Sequence, residues 1–408
     1  MENIYIEFEK ALEIVLSNAS SLPTEKISLF DSLHRILAEE ILADRDNPPA
    51  PVSAMDGYGV RFEDIKAIPA KLKIVDDIPA GKLSKRKIEK GEAVKIFTGS
   101  IIPEDCDTVV PVEYTKEEND FVTIEKTFPK GSNIRKQGED YKKDSTVLEK
   151  GTFITPIEMG VLASVNKTHV KVSVKPRVGI VVTGNEIVEP GEEIKEISMI
   201  RNSNAYTLYG LVKEAGGEPV YFGIVDDDKE KTKETLIEAF EICDLVVTSG
   251  GISMGDYDFI KAILPEIGVE TLFYKLKIKP GKPVFFGKRG KKFIFSLPGF
   301  PVSTVISFNN FVFPFIRKML GAQSIFRKKV KGVLAEEFKR KKSNRMEFAR
   351  CKYVYDVESG EYKVFPLRKQ GSGILSAMTG NVGLMVVPIG TDYIPTGELV
   401  DLILIKEL

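Results

Sequence analysis

Three acids and a lysine-rich turn stand out as residues that could handle phosphate or another oxyanion. Glu186 follows Thr183-Gly184-Asn185 at the end of an apolar run, residues 177–183. Asp227 lies in the triplet 226–228, just past a second run, 218–224. Asp258 follows a third run, 244–248, after the stretch Ser249-Gly250-Gly251-Ile252-Ser253. Opposite in sign are Lys275, Lys277 and Lys279, then Pro280-Gly281-Lys282-Pro283. Alternation places the first three lysines on one face, and Pro-Gly makes a tight turn with Lys282 on its far side. Ammonium groups gathered on a fixed turn suit a polyanion; the other reading is a strand edge blunted by lysines.

Each acid also has a purely structural reading. Glu186 sits at a place where a chain turns after a strand. Asp227 belongs to either an N-cap cluster or a divalent-cation site. Asp258 opens a helix, where an acid favours the dipole. The Gly250-Gly251 stretch offers backbone N–H groups at a helix start, an anion cradle or a Gly-rich cap. It matches neither GxxxxGK[ST] nor GxGxxG. The turn Leu297-Pro298-Gly299-Phe300-Pro301-Val302-Ser303 could add amides to the same site.

These segments share one position. Each follows a strand in a stretch where strands alternate with helices, predicted at 203–216, 229–242, 257–264 and 301–320. Such a rhythm implies right-handed crossovers and a parallel-rich sheet, with ligands beyond the carboxyl ends of the strands. Before it, residues 1–45 read as two helical runs separated by Pro23. The break Asn47-Pro48-Pro49-Ala50-Pro51 opens a β-rich segment to residue 138. A short helix at 156–163 and a strand at 170–174 follow. Beyond residue 328 only strands are expected, at 333–338, 348–355, 362–366 and 399–405. Residues 53–59 and 133–140 stand at the two ends of the β-rich insert and read as a shared hinge.

Composition narrows the chemistry. With 408 residues the chain has room for about three domains. Lys+Arg 58 against Asp+Glu 59 leaves net −1, so the overall field favours neither nucleic acid nor an anionic membrane. Three scattered cysteines and two histidines exclude a disulfide framework, a zinc knuckle and catalysis by several imidazoles. The most apolar stretch, 302–316, is broken by Asn309, Asn310 and Pro314 and is too short for a bilayer. With no N-terminal signal, a cytoplasmic protein is expected.

Taken in order, the motifs PPAPVSAMDGYGVR (48–61), IFTGSIIPEDCDTVVPVE (96–113), NIRKQGEDY (133–141), VVTGNEIVEPG (181–191), SNAYTLYGLVKEAGG (203–217), DLVVTSGGISMGDYDF (244–259), KLKIKPGKP (275–283), LPGFPVS (297–303) and QGSG (370–373) resemble the molybdopterin molybdenumtransferase family, MoeA, and its relative, the gephyrin E domain. The resemblance spans nearly the whole chain. It implies a multidomain α/β protein. Residues 1–46 and 139–175 would form an extended α+β dimerisation domain, and 47–138 an inserted β lid. Residues 176–326 would form a MogA-like α/β domain that binds molybdopterin, and 327–408 a β-barrel-like domain.

The resemblance further implies a homodimer that takes adenylylated molybdopterin and molybdate or tungstate, inserts the metal and releases AMP with Mg²⁺. Gly250, Gly251 and Ser253 would hold the pterin phosphate, with Thr183, Gly184, Ser249, Pro298 and Gly299 lining the same site. Lys275, Lys279 and Lys282 would bind oxyanions. Glu186, Asp227 and Asp258 would ligate the cation. Asp56, Thr98 and Asp140 would reach in from the neighbouring subunit, and Ser372 from the C-terminal domain. Contacts with other molybdenum-cofactor biosynthesis proteins are in keeping with this; nucleic acid and membrane are not. Adenylyl transfer to molybdopterin, or a non-catalytic scaffold, are the competing functions. The sequence departs from the family pattern at Phe300, usually Asn, and at Asn185, often Asp.

Such chemistry asks little of nucleophiles. A phosphoanhydride is cleaved by positioning and charge neutralisation, and the pterin brings its own sulfur ligands.

Overall fold

The structure is a computed structural model that describes residues 5–84, 86–252, 260–341 and 344–406. At its centre lies a six-stranded sheet. In spatial order its strands are Glu218–Val225, Arg177–Thr183, Leu245–Ser249, Lys292–Leu297, Phe285–Arg289 and Glu270–Tyr274. The first four run parallel, and the last two are antiparallel additions. Successive side chains of a strand face opposite ways. Val178, Ile180 and Val182 accordingly enter one core, and Val181 enters the other with Val246 and Ile294. Both faces are therefore apolar, which is why these strands read as unbroken hydrophobic runs.

Helices Asn204–Ala215 and Lys229–Ile242 cover the sheet. The first ends at Gly216 in a left-handed conformation, and the second is capped by Asp228, whose side chain accepts from Lys231 N. The long helix expected at 301–320 is interrupted. Pro301–Ser307 and Phe313–Met319 are α-helical, and Phe308–Val312 between them is a π-helix. Pro314 has no N–H to donate back along the helix, and the ladder widens beside it. No helix among the described residues is long and apolar enough to cross a membrane.

The N-terminal run differs from expectation. Phe8–Asn18 is a helix, but it buries Ala11 and Val15 in the core of the central unit, with the Phe8 ring 5.4 Å from that of Phe311. The second expected helix is absent. Thr24–Ser28 is instead a strand, antiparallel to His169–Ser173, and Ile41–Leu42 pairs with Thr146–Leu148. Leu37 and Ile41 are four apart and both buried, which mimics a helical face. The amides of this stretch nevertheless bond across the fold, Leu37 N to Thr152 O and Ala38 N to Lys171 O. Distant partners override local periodicity here.

The insert forms a second six-stranded sheet around Tyr58, Val60, Val110 and Val122. Its ends meet where Val52–Ser53 pairs with Ile134–Arg135. In the C-terminal region, strands Lys329–Leu334, Met346–Asp356, Glu361–Pro366, Val382–Val387 and Leu399–Leu404 close into a barrel, the ring completed by pairing of Met346–Asp356 with Val382–Val387. The strand expected at 333–338 lies earlier in the chain, and Val382–Val387 was not anticipated. Ile278–Lys279 runs parallel to Met346–Glu347 and ties the lysine turn to the barrel.

Candidate active site

The carboxyl ends of the parallel strands open into a cleft of about 400 Å³. Its lining includes Thr183, Gly184, Glu186, Asp227, Ser249, Gly250, Gly251, Pro298 and Gly299. All of these were expected at the site from sequence, and one cleft gathers them. Ser253 and Asp258 lie outside the described residues.

The glycine turn that follows Leu245–Ser249 is sterically required. Gly250 and Gly251 have φ of 95° and 63°, where side chains are strained. A Cβ on Gly250 would lie 2.7 Å from Thr183 O, and one on Gly251 2.9 Å from Ile260 Cδ1. The turn thus packs directly on the end of the neighbouring strand. The Gly250 N–H is already committed to Leu297 O at 3.2 Å, so it is not one of the cradle's open donors. The 297–303 turn lines the same cleft through Pro298 and Gly299, and it also ties to the barrel loop, where Val302 N donates to Ser372 O at 3.0 Å.

Under the glycine turn lies a polar floor. Asn204 Nδ2 donates to Ser249 Oγ and to Gly299 O, each at 2.7 Å, and so locks two lining loops together. Asn204 Oδ1 and Thr183 Oγ1 are buried with no hydrogen-bond partner among the described residues. Buried polar atoms are rarely left unpaired in a finished structure. Two at one cleft floor fit a site that is completed by a polar ligand.

The two carboxylates stand on adjacent loops. Asp227 N donates to Asn185 Oδ1 at 2.9 Å, and Asn185 N donates back to Asp227 Oδ2 at 3.2 Å. Glu186 is folded close to the glycine before it: a Cβ on Gly184 would meet Glu186 Oε2 at 2.6 Å. Ile187–Val188 pairs with Ile200–Arg201 to form a flap along the cleft. Among the described residues no three His, Cys, Asp or Glu side chains converge as a metal cage. Two carboxylates in one cleft still match the all-oxygen preference of a hard divalent cation.

The lysine turn divides: Lys275, Lys277 and Lys282 stand near Tyr5, and Lys279 turns to the barrel. Lys275 has φ 68° and is 8% exposed, its ammonium 5.0 Å from the Tyr274 ring centroid. Lys277 pairs with Glu7 at 2.5 Å. Lys279 reaches Glu347 at 3.0 Å, and that buried carboxylate also binds Arg340 at 2.9 Å. Lys282 sits 5.0 Å over the Tyr5 ring, in a separate hollow of about 220 Å³ with Lys277 and Arg345. From Leu276 to Lys279 alternation holds, with Leu276 and Ile278 buried and Lys277 and Lys279 part-exposed, whereas Lys275 turns left-handed before it and is itself buried.

In the insert, Asp56 Oδ1 accepts from Thr98 N at 2.7 Å and from Thr98 Oγ1 at 2.8 Å. The backbone bond first, then the hydroxyl, holds the carboxyl below its usual range. Asp140 Oδ2 accepts from Asn47 Nδ2 at 2.9 Å. None of Asp56, Thr98 or Asp140 lines the cleft of its own chain. The three cysteines are buried, and burial pushes the thiols of Cys106 and Cys351 up to about 12 and that of Cys243 up to about 11. None is suited to act as a nucleophile.

Arg350 escaped the sequence reading. It is 1% exposed, and its guanidinium donates to Lys369 O and Gly371 O at 2.9 Å and to Ile374 O at 3.1 Å. It thereby shapes the loop that carries Ser372. An arginine in the stretch 346–351, otherwise apolar but for Glu347, was the available signal. Asn204 was missed as well, since its work is done across the sheet.

Family models match three consecutive segments of this frame: the MoeA N-terminal region (domain I and II) at residues 6–166, a probable molybdopterin binding domain at 179–318, and the MoeA C-terminal region (domain IV) at 331–405. The chain belongs to the MoeA family. It is 34% identical to the molybdopterin molybdenumtransferase of Bacillus subtilis over 392 residues, covering 94% of this chain and 90% of that protein. It is 33% identical to that of Staphylococcus aureus Mu50, covering 98% and 95%. A crystal structure of the molybdopterin biosynthesis MoeA protein from Pyrococcus horikoshii superposes with TM-score 0.83 at 33% identity, over 98% of this chain and all of that one. The glycine turn, both described carboxylates and the 297–303 turn all fall within the segment matched to the molybdopterin-binding model.

Proposed function

We propose that this chain is a molybdopterin molybdenumtransferase of molybdenum cofactor biosynthesis, which uses adenylylated molybdopterin and molybdate or tungstate and releases AMP. One observation carries the reading. The cleft at the strand ends combines two carboxylates, a tight glycine turn and two orphaned buried oxygens, within a chain related over nearly its full length to named transferases.

Glu186 and Asp227, with Asp258, would hold Mg²⁺, which would neutralise charge on the phosphoanhydride. The glycine turn and Ser253 receive the pterin phosphate, and Thr183 Oγ1 and Asn204 Oδ1 meet polar atoms of the same substrate. Lys275, Lys279 and Lys282 receive oxyanion groups near the barrel. Lys279 does so in exchange with Glu347, whose carboxylate holds it until an anion arrives. Positioning and electrostatics suffice for this cleavage.

Asp56, Thr98 and Asp140 act on the cleft of a second copy, which makes the working unit a homodimer. The chain is read as cytoplasmic. The N-terminal and barrel regions favour this step over adenylyl transfer, which needs only the central unit.

A single-turnover assay tests the proposal. AMP release from adenylylated molybdopterin that depends on molybdate or tungstate, and on Mg²⁺, is the expected result. ATP-dependent formation of the adenylylated adduct, without oxyanion-stimulated AMP release, would overturn it.

A further inference from the structure

Phe300 occupies an unusual place. It lines the cleft beside Gly299, at the N-cap of Pro301–Ser307, and its side chain makes no cap hydrogen bond. Helix physics favours Ser, Thr, Asp or Asn at that position, worth roughly 1 kcal/mol over an apolar residue. The ring is also 64% exposed. Phe300 therefore forgoes a cap and leaves an apolar ring in water, and the fold recovers little of either cost. One edge of the ring lies beside the barrel loop: a Cβ on Gly373 would lie 3.6 Å from Phe300 Cδ1 and 3.9 Å from Cε1. The loop behind it is fixed by Ser372 O, which accepts from Val302 N, and by Arg350. The aromatic ring is thus solvent-facing, beside a fixed loop of the barrel and adjacent to the anion cradle, since a Cβ on Gly299 would come within 3.6 Å of Gly250 Cα.

We propose that Phe300 is a binding and specificity residue whose ring stacks on the planar nitrogen heterocycle of the substrate while the cradle holds its phosphate. This rests on the function proposed above and adds a recognition element to it. A phosphate seated at Gly250-Gly251 places the remainder of its molecule along the cleft, and Phe300 presents the exposed aromatic surface of its lining. Aromatic rings bind flat heterocycles by offset stacking, with an affinity that tolerates changes in edge hydrogen bonding. Adenine and pterin share this chemistry, and the test separates them.

The chain contains no tryptophan, so Phe300→Trp would report from a single indole. AMP and a pterin monophosphate are titrated separately, with binding followed independently by equilibrium dialysis. Stacking is expected to quench the indole with one of the two probes, which identifies the ring held. Phe300→Leu keeps apolar bulk and removes the π face. It should weaken that same probe by about fivefold to tenfold, while Phe300→Tyr binds as wild type and inorganic phosphate competes equally in all variants. Equal affinity of wild type and Phe300→Leu, with an unquenched indole at saturation, would overturn the stacking role and leave the function standing. Failure of the wild-type protein to bind either probe would overturn both. Melting temperatures of the variants guard against misfolding.

Discussion

Asn185 and Asp227 hold one another by two hydrogen bonds that run in opposite directions, Asp227 N to Asn185 Oδ1 and Asn185 N to Asp227 Oδ2. The pair joins the loops after two neighbouring parallel strands, Arg177–Thr183 and Glu218–Val225. From sequence, Asn185 is only a departure from a position often held by Asp. In the fold it fixes the orientation of a carboxylate that remains. An aspartate at 185 could also accept from Asp227 N, but it would set a second negative charge against Asp227.

Asn185→Ala should therefore weaken Mg²⁺ without altering the fold. Loss of a group that orients a metal ligand typically costs tenfold to a hundredfold in affinity. Calorimetric titration of Mg²⁺ in the presence of AMP should show a rise of about tenfold in Kd. An unchanged Kd would mean that Asp227 does not need this brace, or does not bind the ion.

Arg350 makes a prediction about the barrel. Its guanidinium is desolvated, which pulls its pKa down, and it is stabilised by donating to three carbonyls. Removing it leaves those acceptors buried, at roughly 1–3 kcal/mol for an unsatisfied group. Arg350→Ala should lower the barrel's melting temperature by several degrees in calorimetry. Arg350→Lys should recover little, because an ammonium lacks the planar fork. A variant that melts with wild type would show that the 369–374 loop is held by other means.

Asp56 should titrate below an ordinary aspartate, and Thr98 is the cause. A carboxyl with a depressed folded pKa adds stability above its unfolded pKa, and that contribution fades as pH falls through the folded value. Asp56 is at the surface, so the effect on overall stability is small. Its own titration is the sensitive readout. In Thr98→Ala the hydroxyl bond is lost and the backbone bond stays, so the carbon-13 titration of Asp56 should move up only part of the way towards the usual value. No upward movement would remove Thr98 from control of this residue.

How much of this was legible can be argued from a few residues. The runs 177–183 and 244–248 are apolar on both faces, and their strand nature needs no distant information. The Gly-rich and acidic turns beyond them are local too, so the cleft residues Glu186, Asp227, Gly250 and Gly251 could be named before their geometry was known. Thr24–Ser28 could not be read as a strand, because its partner His169–Ser173 lies far along the chain. The lysine turn was legible in part: the alternation from Leu276 to Lys279 is local, whereas the capture of Lys279 by Glu347 depends on the distant barrel. Arg350 carries no motif, and the motif 203–217 does not single out Asn204, since each acts through carbonyls or hydroxyls that only the fold brings near.

The orphaned hydroxyl of Thr183 permits the most direct separation of fold from function. Thr183 Oγ1 is buried and has no partner in the protein among the described residues. Replacing it with an isosteric methyl removes an unsatisfied polar atom, which is close to neutral for stability or slightly favourable. Thr183→Val should therefore melt within a few degrees of wild type, or above it. If the hydroxyl's partner is the substrate, the same variant should bind molybdopterin about tenfold more weakly, the equivalent of one hydrogen bond of roughly 1.4 kcal/mol. The two measurements together are decisive. Lost stability with retained affinity would give the hydroxyl a structural role, whereas retained stability with lost affinity assigns it to the ligand.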